Sequence, residues 1–347
     1  MSQQKAPPEH PSDGPAKTEK PTLKTIARIS GLAVPTVSRA LNDAPDIGSE
    51  TKKLIRRIAT EIGYVPNRAG VRLRTGRTNV ISLVMSTEHD LMTHNARLIA
   101  SVASGLRNTP FHMIMTPFFP DQDRMDPVRY IVETGSADAV ILNQIQPQDP
   151  RVAYLMDRKF PFATHGRTDW ADQHPYYDFD NRAFAYLATD ELIGRGRKHI
   201  LVIAPPQAQN YALHMIDGAQ NAAKAGRIGC TIAKGITSDS VSGEIVDFMI
   251  DILGRQSDID AVLCASTSSA MAAVAGIEKF GATVGQEVDV YAKEAVPFLK
   301  LFRADILTMS EQVNTAGEFL AKAAMQAVRH PDLAPMQELE VPTSAGG

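Results

Sequence analysis

The chain is poor in sulfur and in aromatic rings, with two cysteines, one tryptophan and 6% aromatic residues in 347. Two cysteines cannot build a disulfide framework. Cys230 and Cys264 stand in separate apolar runs without metal-ligand spacing, which predicts buried thiols in a reducing, cytoplasmic setting. No stretch approaches the roughly 20 uninterrupted apolar residues of a membrane span, so no membrane partner is expected. Residues 1–21 are rich in Pro, Lys and Glu without an apolar run. That composition predicts a disordered tail rather than a signal peptide, and 343–347 a frayed end. Also missing are a GxGxxG after the first strand pattern, GxxxxGK[ST], His-Glu-x-x-His and GxSxG. The nine histidines are scattered singly, and His112 and His199 fall beside predicted strands, where a structural role is expected. These absences predict a protein that is not an enzyme, with no cofactor and no metal.

What is present is an uneven distribution of charge. The chain carries a net charge of −3, yet residues 22–78 hold eleven Lys or Arg against four Asp or Glu. A basic module on an acidic body points to a polyanion partner for the module alone. Within it, Thr22 is placed to cap a helix from Leu23 to Ser30 with Leu23, Ile26, Ala27 and Ile29 on its apolar face. Gly31 breaks it. A second helix is predicted over Val34–Leu41, with Pro35 accommodated in its first turn. Val37, Ala40 and Leu41 face inward there, and Thr36, Ser38 and Arg39 outward. Asn42 and Asp43 end it. Ser49 or Glu50 opens a third helix with Leu54, Ile55, Ile58 and Ile62 in one stripe, and Gly63 stops it.

Two short helices joined by a tight turn and braced by a third make a helix-turn-helix. Its second helix fits the major groove, where Arg39 reaches a guanine edge or a phosphate. A plain three-helix bundle with solvated basic residues satisfies the spacing too. Arg68, Arg72, Arg74 and Arg77 just beyond it favour DNA.

After Thr78 short β-branched runs alternate with amphipathic segments. Strands are predicted at Val80–Met85, Phe111–Thr116, Ala139–Asn143, Phe160–Thr164, His199–Ile203, Cys230–Ala233, Ala261–Cys264 and Val288–Tyr291, with helices between them. That alternation implies parallel sheets covered on both faces, in two doubly wound lobes that take ligands between them at the strand carboxyl ends. The fold class expected is therefore α/β: a three-helix head, then a two-lobed body over 79–342.

The motifs IARISGLAVPTVSRALN, SETKKLIRRIATEIGYVPN and LRTGRT running into NVISLV resemble the lactose repressor/galactose repressor family of bacterial transcription regulators. The likeness extends more weakly to about residue 342. It implies a DNA-binding domain at 22–66 and a hinge helix and linker at 67–78. The implied DNA-contacting residues are Thr25, Val34, Pro35, Thr36, Ser38, Arg39, Asn42, Tyr64, Asn67, Gly70 and Leu73, with Leu73 as a minor-groove wedge. Val34 and Pro35 have no side-chain donor and would read shape and thymine methyls. Gly70 and Val71 stand where alanine and arginine are usual, and the glycine costs roughly 1 kcal/mol of helix propensity. Thr25 replaces the usual aspartate.

The resemblance further implies palindromic double-stranded operator DNA, a homodimer and a small-molecule effector as partners. A tetramer-forming leucine heptad is missing after residue 331. The body would resemble periplasmic sugar-binding proteins, with crossovers near Tyr177–Asp180, near Asp305–Met309 and after Pro331. The first lobe would then hold 79–177 and 309–331, and the second 178–308 and 332–342, with Glu338–Val341 paired to the second.

Sugar-binding members carry an arginine where this chain has Met215 ahead of Gly218. An Asn-Asp or Ser-Asp pair is replaced by Ser266 and Thr267, and a Gly-Phe-Asp-Asp turn by Ala292–Ala295. Candidate effector contacts are His165, Arg167, Trp170, His214, Met215, Ser266, Lys293 and Glu294. Trp170 is either a stacking platform or a hydrophobic plug, and Ser266 and Thr267 fit a helix cap. The expected function is an effector-controlled repressor of carbohydrate uptake or catabolism genes. Its effector would be a sugar, a polyol, or a sugar acid paired with Lys293. A ligand-independent DNA-binding regulator is the alternative, ahead of a solute-binding protein or a sugar-handling enzyme.

Overall fold

In the computed structural model, residues 20–65, 72, 76–87, 92–119, 121–295 and 298–342 are described. Asn67, Gly70 and Leu73 of the predicted hinge helix lie outside them. The chain divides into two compact units, Met1–Arg77 and Thr78–Gly347.

The first unit consists of α1 (Leu23–Ser30), α2 (Val34–Leu41) and α3 (Ser49–Glu61). Thr22 caps α1 in a reciprocal box: Thr25 N donates to Thr22 Oγ1 and Thr22 N donates to Thr25 Oγ1 at 3.1 Å. Threonine at position 25 therefore satisfies an amide at the helix start that the chain would otherwise leave bare. Gly31 ends α1 at φ 70. Ile26, Val37, Ala40 and Ile55 are fully buried and pack with Ile58 and Ala59 into a small core. Two residues assigned to apolar stripes point outward instead, Ile29 and Leu54. In a three-helix unit this small only the central two or three positions of each helix can be covered, and both lie at the flank of their stripe.

The second unit contains two parallel sheets. The first holds β1 (Val80–Ser86), β2 (His112–Phe118), β3 (Ala139–Leu142), β4 (Phe162–His165), β5 (Tyr176–Phe179) and a last strand, Gln337–Glu340, in the spatial order last-β5-β4-β3-β1-β2. Its helices are α4 (Met92–Gly105), α5 (Asp126–Thr134) and α6 (Pro150–Asp157). The second sheet begins after α7 (Asn181–Gly194). It uses β6 (His199–Ile203), β7 (Gly229–Ile232), β8 (Ala261–Cys264), β9 (Asp289–Glu294) and β10 (Ile306–Ser310), in the order β10-β9-β8-β6-β7. Helices α8 (Asn210–Gly226), α9 (Ser242–Arg255) and α10 (Thr267–Phe280) cover it, and the single turn α11 (Leu299–Phe302) precedes β10. Then α12 (Val313–Arg329) returns to the first lobe, packing its Ala316, Leu320, Ala321 and Ala324 with Leu98 and Val102 of α4. β1, β3 and β8 are buried along their whole length, as expected of central parallel strands.

Two crossover expectations are corrected. The chain leaves the second lobe after β10, because residues 306–310 pair with β9; the crossing is at Glu311–Gln312, not at 305–309. The terminal strand, β11 (Gln337–Glu340), belongs to the first lobe and not the second, pairing Glu338 with Tyr177 and Glu340 with Phe179. The reason is local. β5 would otherwise present an open edge, and Glu340 fixes the register there by accepting from Tyr177 Oη at 2.8 Å and from Gln312 N at 2.9 Å. Among the described residues, no helix is long and apolar enough to cross a membrane.

Candidate functional site

Two regions carry functional side chains, one in each unit. On the head, Pro35, Arg39 and Asn42 of the α2 region are exposed, and Thr25, Val34, Thr36, Ser38 and Tyr64 are half-buried. Burial of Val37 and Ala40 turns Thr36, Ser38 and Arg39 away from the core, so α2 presents a polar outer face. Arg39 Nη2 pairs with Asp46 Oδ1 at 2.6 Å, and Asn42 Nδ2 donates to Ser38 O. Tyr64 packs against the edge of the three-helix core.

In the body, a cleft of about 380 Å³ opens between the lobes at the carboxyl ends of the strands, where open α/β sheets place their ligands. From the first lobe come His94, Asn143, Gln144, His165 and Asp178, and from the second Asn181, Tyr211, Ser266 and Lys293; Glu311 enters from the crossover. The lobes touch beside it: Asn210 N donates to Ile145 O at 2.8 Å and Asn210 Nδ2 to Arg167 O at 2.6 Å.

The centre of the cleft is an electrostatic cluster. Lys293 Nζ lies 3.0 Å from Glu311 Oε2 and donates to Asn181 Oδ1 at 3.0 Å. It also stands 5.2 Å from the centre of the Phe179 ring, a favourable place for an ammonium. Glu311 Oε1 faces His165 Nε2 at 3.6 Å, and His94 stacks on His165 with ring centres 5.3 Å apart. Burial pushes both imidazoles down, His165 to about 4, and the neighbouring ring adds to its shift more than Glu311 opposes it. Burial acts to raise the Glu311 carboxyl, but the charge and hydrogen bond of Lys293, together with His94 and His165, outweigh it and hold the group at about 2. At neutral pH the cluster is thus an ion pair with two neutral rings. Beside it Asp178 is raised by burial to about 6 despite Arg167, whose Nε donates to it at 2.7 Å.

The floor is built by a buried ion pair. Arg151 Nη2 meets Asp149 Oδ2 at 2.7 Å and also donates to the carbonyls of Asn143 and Gln144 at 3.0 and 3.1 Å. Gln144 is held at φ 52, in the left-handed region. Such a residue costs of order 1–3 kcal/mol unless its surroundings fix it, and Arg151 provides the fixing. Arg124 Nη2 donates to Gln144 Oε1 at 3.2 Å, which leaves the amide nitrogen as the end of that side chain still to be paired. Gln144 Nε2 and Asn143 Oδ1 are buried with no hydrogen-bond partner among the described residues.

Of the predicted effector contacts, His165, Ser266 and Lys293 line this cleft and the others do not. Ser266 also caps α10 in a reciprocal box with Ser269. Glu294 is turned away: adjacent strand residues face opposite sides of a sheet, so β9 cannot present both Lys293 and Glu294. The Glu294 carboxylate instead accepts from Phe298 N and Leu299 N at the start of α11. Met215 is buried in the core beneath α8, and His214 is half-buried on that helix. Trp170 packs against the first-lobe core as a plug. Arg167 acts through Asp178. His94, Asn143, Gln144, Asp178, Asn181, Tyr211 and Glu311 were missed. The strand-end rule would have found Asn143 and Glu311, each one residue beyond a strand, and Asp178, the penultimate residue of β5. Lys293, the group expected to meet a sugar acid, is already paired with Glu311.

Residues 22–67 match the family described as bacterial regulatory proteins, lacI family. Residues 114–337 match the periplasmic binding proteins and sugar binding domain of the LacI family. The chain belongs to the LacI family. Like the family's other members it is a DNA-binding transcriptional regulator and not an enzyme. It is 31% identical over 325 residues to the HTH-type transcriptional regulator AglR of Rhizobium meliloti (strain 1021), covering 91% of this chain and 90% of that protein. The fold is that of a solved transcriptional regulator CelR–cellobiose complex, with a TM-score of 0.68 and 23% identity over 93% of this chain and 98% of that one. It also matches a lac repressor dimer bound to operator and the anti-inducer ONPF, with a TM-score of 0.78 and 16% identity over 94% and 97% of the two chains.

Proposed function

We propose that this LacI-family regulator is a dimeric repressor whose hold on a palindromic operator is controlled by a neutral saccharide bound in the interlobe cleft. The observation that carries this is that Asn143 and Gln144, two residues of the cleft lining, hold a buried acceptor, Oδ1, and a buried donor, Nε2, with no hydrogen-bond partner among the described residues. Buried polar groups are normally satisfied, and leaving one bare costs about 1–3 kcal/mol. A polyhydroxylated ligand supplies both kinds of group at once. The charges in the cleft are already matched, Lys293 with Glu311 and Arg167 with Asp178, so a neutral ligand meets no uncompensated charge.

Phe179, Tyr211, Met271 and Phe298 add apolar surface for the C–H faces of a sugar ring. The volume sits at the low end of the roughly 300–1,000 Å³ usual for small-molecule sites. Two solved relatives of this fold support the class, a CelR–cellobiose complex and a probable maltose operon repressor. A ligand spanning both lobes favours one of their arrangements, and the head's affinity for DNA follows that population. The effector is expected to release the operator.

Isothermal titration of the full-length protein against neutral mono- and disaccharides and their uronic acids tests this. A neutral saccharide should bind with its affinity cut about tenfold by Asn143→Ala or Gln144→Ala, the loss of one buried hydrogen bond. Preference for a uronic acid, or wild-type affinity in both variants, contradicts it.

A further inference from the structure

The cleft brings together three side chains from three separate elements that no sequence pattern linked: His94 on α4, His165 at the end of β4 and Glu311 beyond β10. One ligand atom from each, two imidazole nitrogens and a carboxylate oxygen, all lie within 4.8 Å of one another. From these positions we propose that the three residues form a transition-metal site, selective for Zn²⁺-like ions, which clips the two lobes together and leaves one coordination position open to the cleft.

Zinc takes imidazole nitrogen at about 2.0–2.1 Å and carboxylate oxygen at about 2.0–2.2 Å in a tetrahedron. That places neighbouring ligand atoms about 3.3–3.5 Å apart. The His165 Nε2 to Glu311 Oε1 distance is already 3.6 Å, and the separations to His94, within 4.8 Å, have to close toward the same spacing. The donor set, two imidazoles and one carboxylate, suits zinc over calcium or magnesium, which prefer all-oxygen cages.

Lys293 does not block the site, because it holds the other carboxylate oxygen, Glu311 Oε2, at 3.0 Å. There it orients the ligand as hydrogen-bonded neighbours of metal carboxylates do. The fourth position faces a cavity lined by Asn143, Asp178 and Tyr211, so water or a hydroxyl of a bound ligand completes the sphere. His94 and His165 belong to the first lobe. Glu311 is tied to the second through its amide, which donates to Glu294 O at 2.8 Å. Metal binding therefore joins the two lobes whose relative arrangement carries control in the proposed function, and metal is a second input alongside the saccharide.

The test uses metal-free full-length protein, with Zn²⁺ and Co²⁺ alone as probes, so its outcome does not depend on whether a saccharide binds. Competition with a chromogenic chelator should show one Zn²⁺ per chain. Co²⁺ should give the strong visible absorption of a four-coordinate site, a readout that needs no variant. His94→Ala, His165→Ala and Glu311→Gln should each weaken Zn²⁺ binding at least about tenfold, while His94→Ala keeps the wild-type circular dichroism spectrum. Absence of saturable binding, a six-coordinate Co²⁺ spectrum, or unchanged affinity in folded His94→Ala protein overturns the proposal.

Discussion

Asp149 and Arg151 illustrate how much of the cleft depends on residues that never touch its contents. Burial acts to raise the Asp149 carboxyl, but hydrogen bonds from Arg151 and its charge, with the amides of Gln146 and Arg151, outweigh that and hold it below the usual carboxylate range. A carboxyl depressed in the folded state stabilises the fold at neutral pH. That contribution is lost as pH falls through the folded pKa, because protonation breaks the pair. Asp149→Asn leaves Arg151 buried without its counter-ion, a loss of about 3–5 kcal/mol by analogy with other broken buried pairs. Urea denaturation at pH 7 should show that loss, and the gap between variant and wild type should narrow in acid. Equal midpoints at pH 7 contradict it. The same substitution removes the carboxylate that orients Arg151 beneath the carbonyls of Asn143 and Gln144, so saccharide affinity should drop with stability.

Elements were far more legible in the sequence than side-chain directions. The helix-turn-helix and the strand–helix alternation follow from apolar period, caps and glycine stops, signals that each segment carries within itself. Three elements did not. β5 and β10 are short strands in stretches assigned to crossovers, and β11 is a polar strand, QELE, whose pairing depends on a sheet edge over 150 residues away in sequence. Glu294 and Met215 were placed by position in a motif. The pleat of β9 and the inward face of α8 decide against them, and neither is visible until register is fixed.

Helix packing is similarly hidden. A Cβ at Gly218 would overlap the carbonyl of Arg182 where α8 crosses α7, so Gly218→Ala should destabilise the second lobe by about 1–3 kcal/mol through overpacking. A thermal midpoint equal to wild type contradicts that close approach.

The whole molecule combines a basic head with an acidic two-lobed body, and the two halves of the proposed function separate along that division. Phosphate contacts by the head are electrostatic and weaken steeply with salt. Operator selection requires two heads held at one spacing. In the proposed function the cleft supplies the control, through a neutral ligand held by Asn143 and Gln144, and the proposed metal site of His94, His165 and Glu311 adds a second input. His165, Ser266 and Lys293 were legible one by one, but their grouping was not, because the cleft residues are scattered from 94 to 311 and meet only when both sheets close.

Fluorescence anisotropy of the full-length protein on a palindromic operator, a single half-site and random duplex, at one moderate salt concentration and with and without the bound saccharide, joins the head to the cleft in one experiment. The palindrome should bind at least about 10³-fold tighter than random duplex, and the saccharide should erase most of that preference in wild type but not in Gln144→Ala. Equal affinity for all three duplexes, or an operator preference that the saccharide leaves untouched, would contradict a dimeric repressor governed from its interlobe cleft.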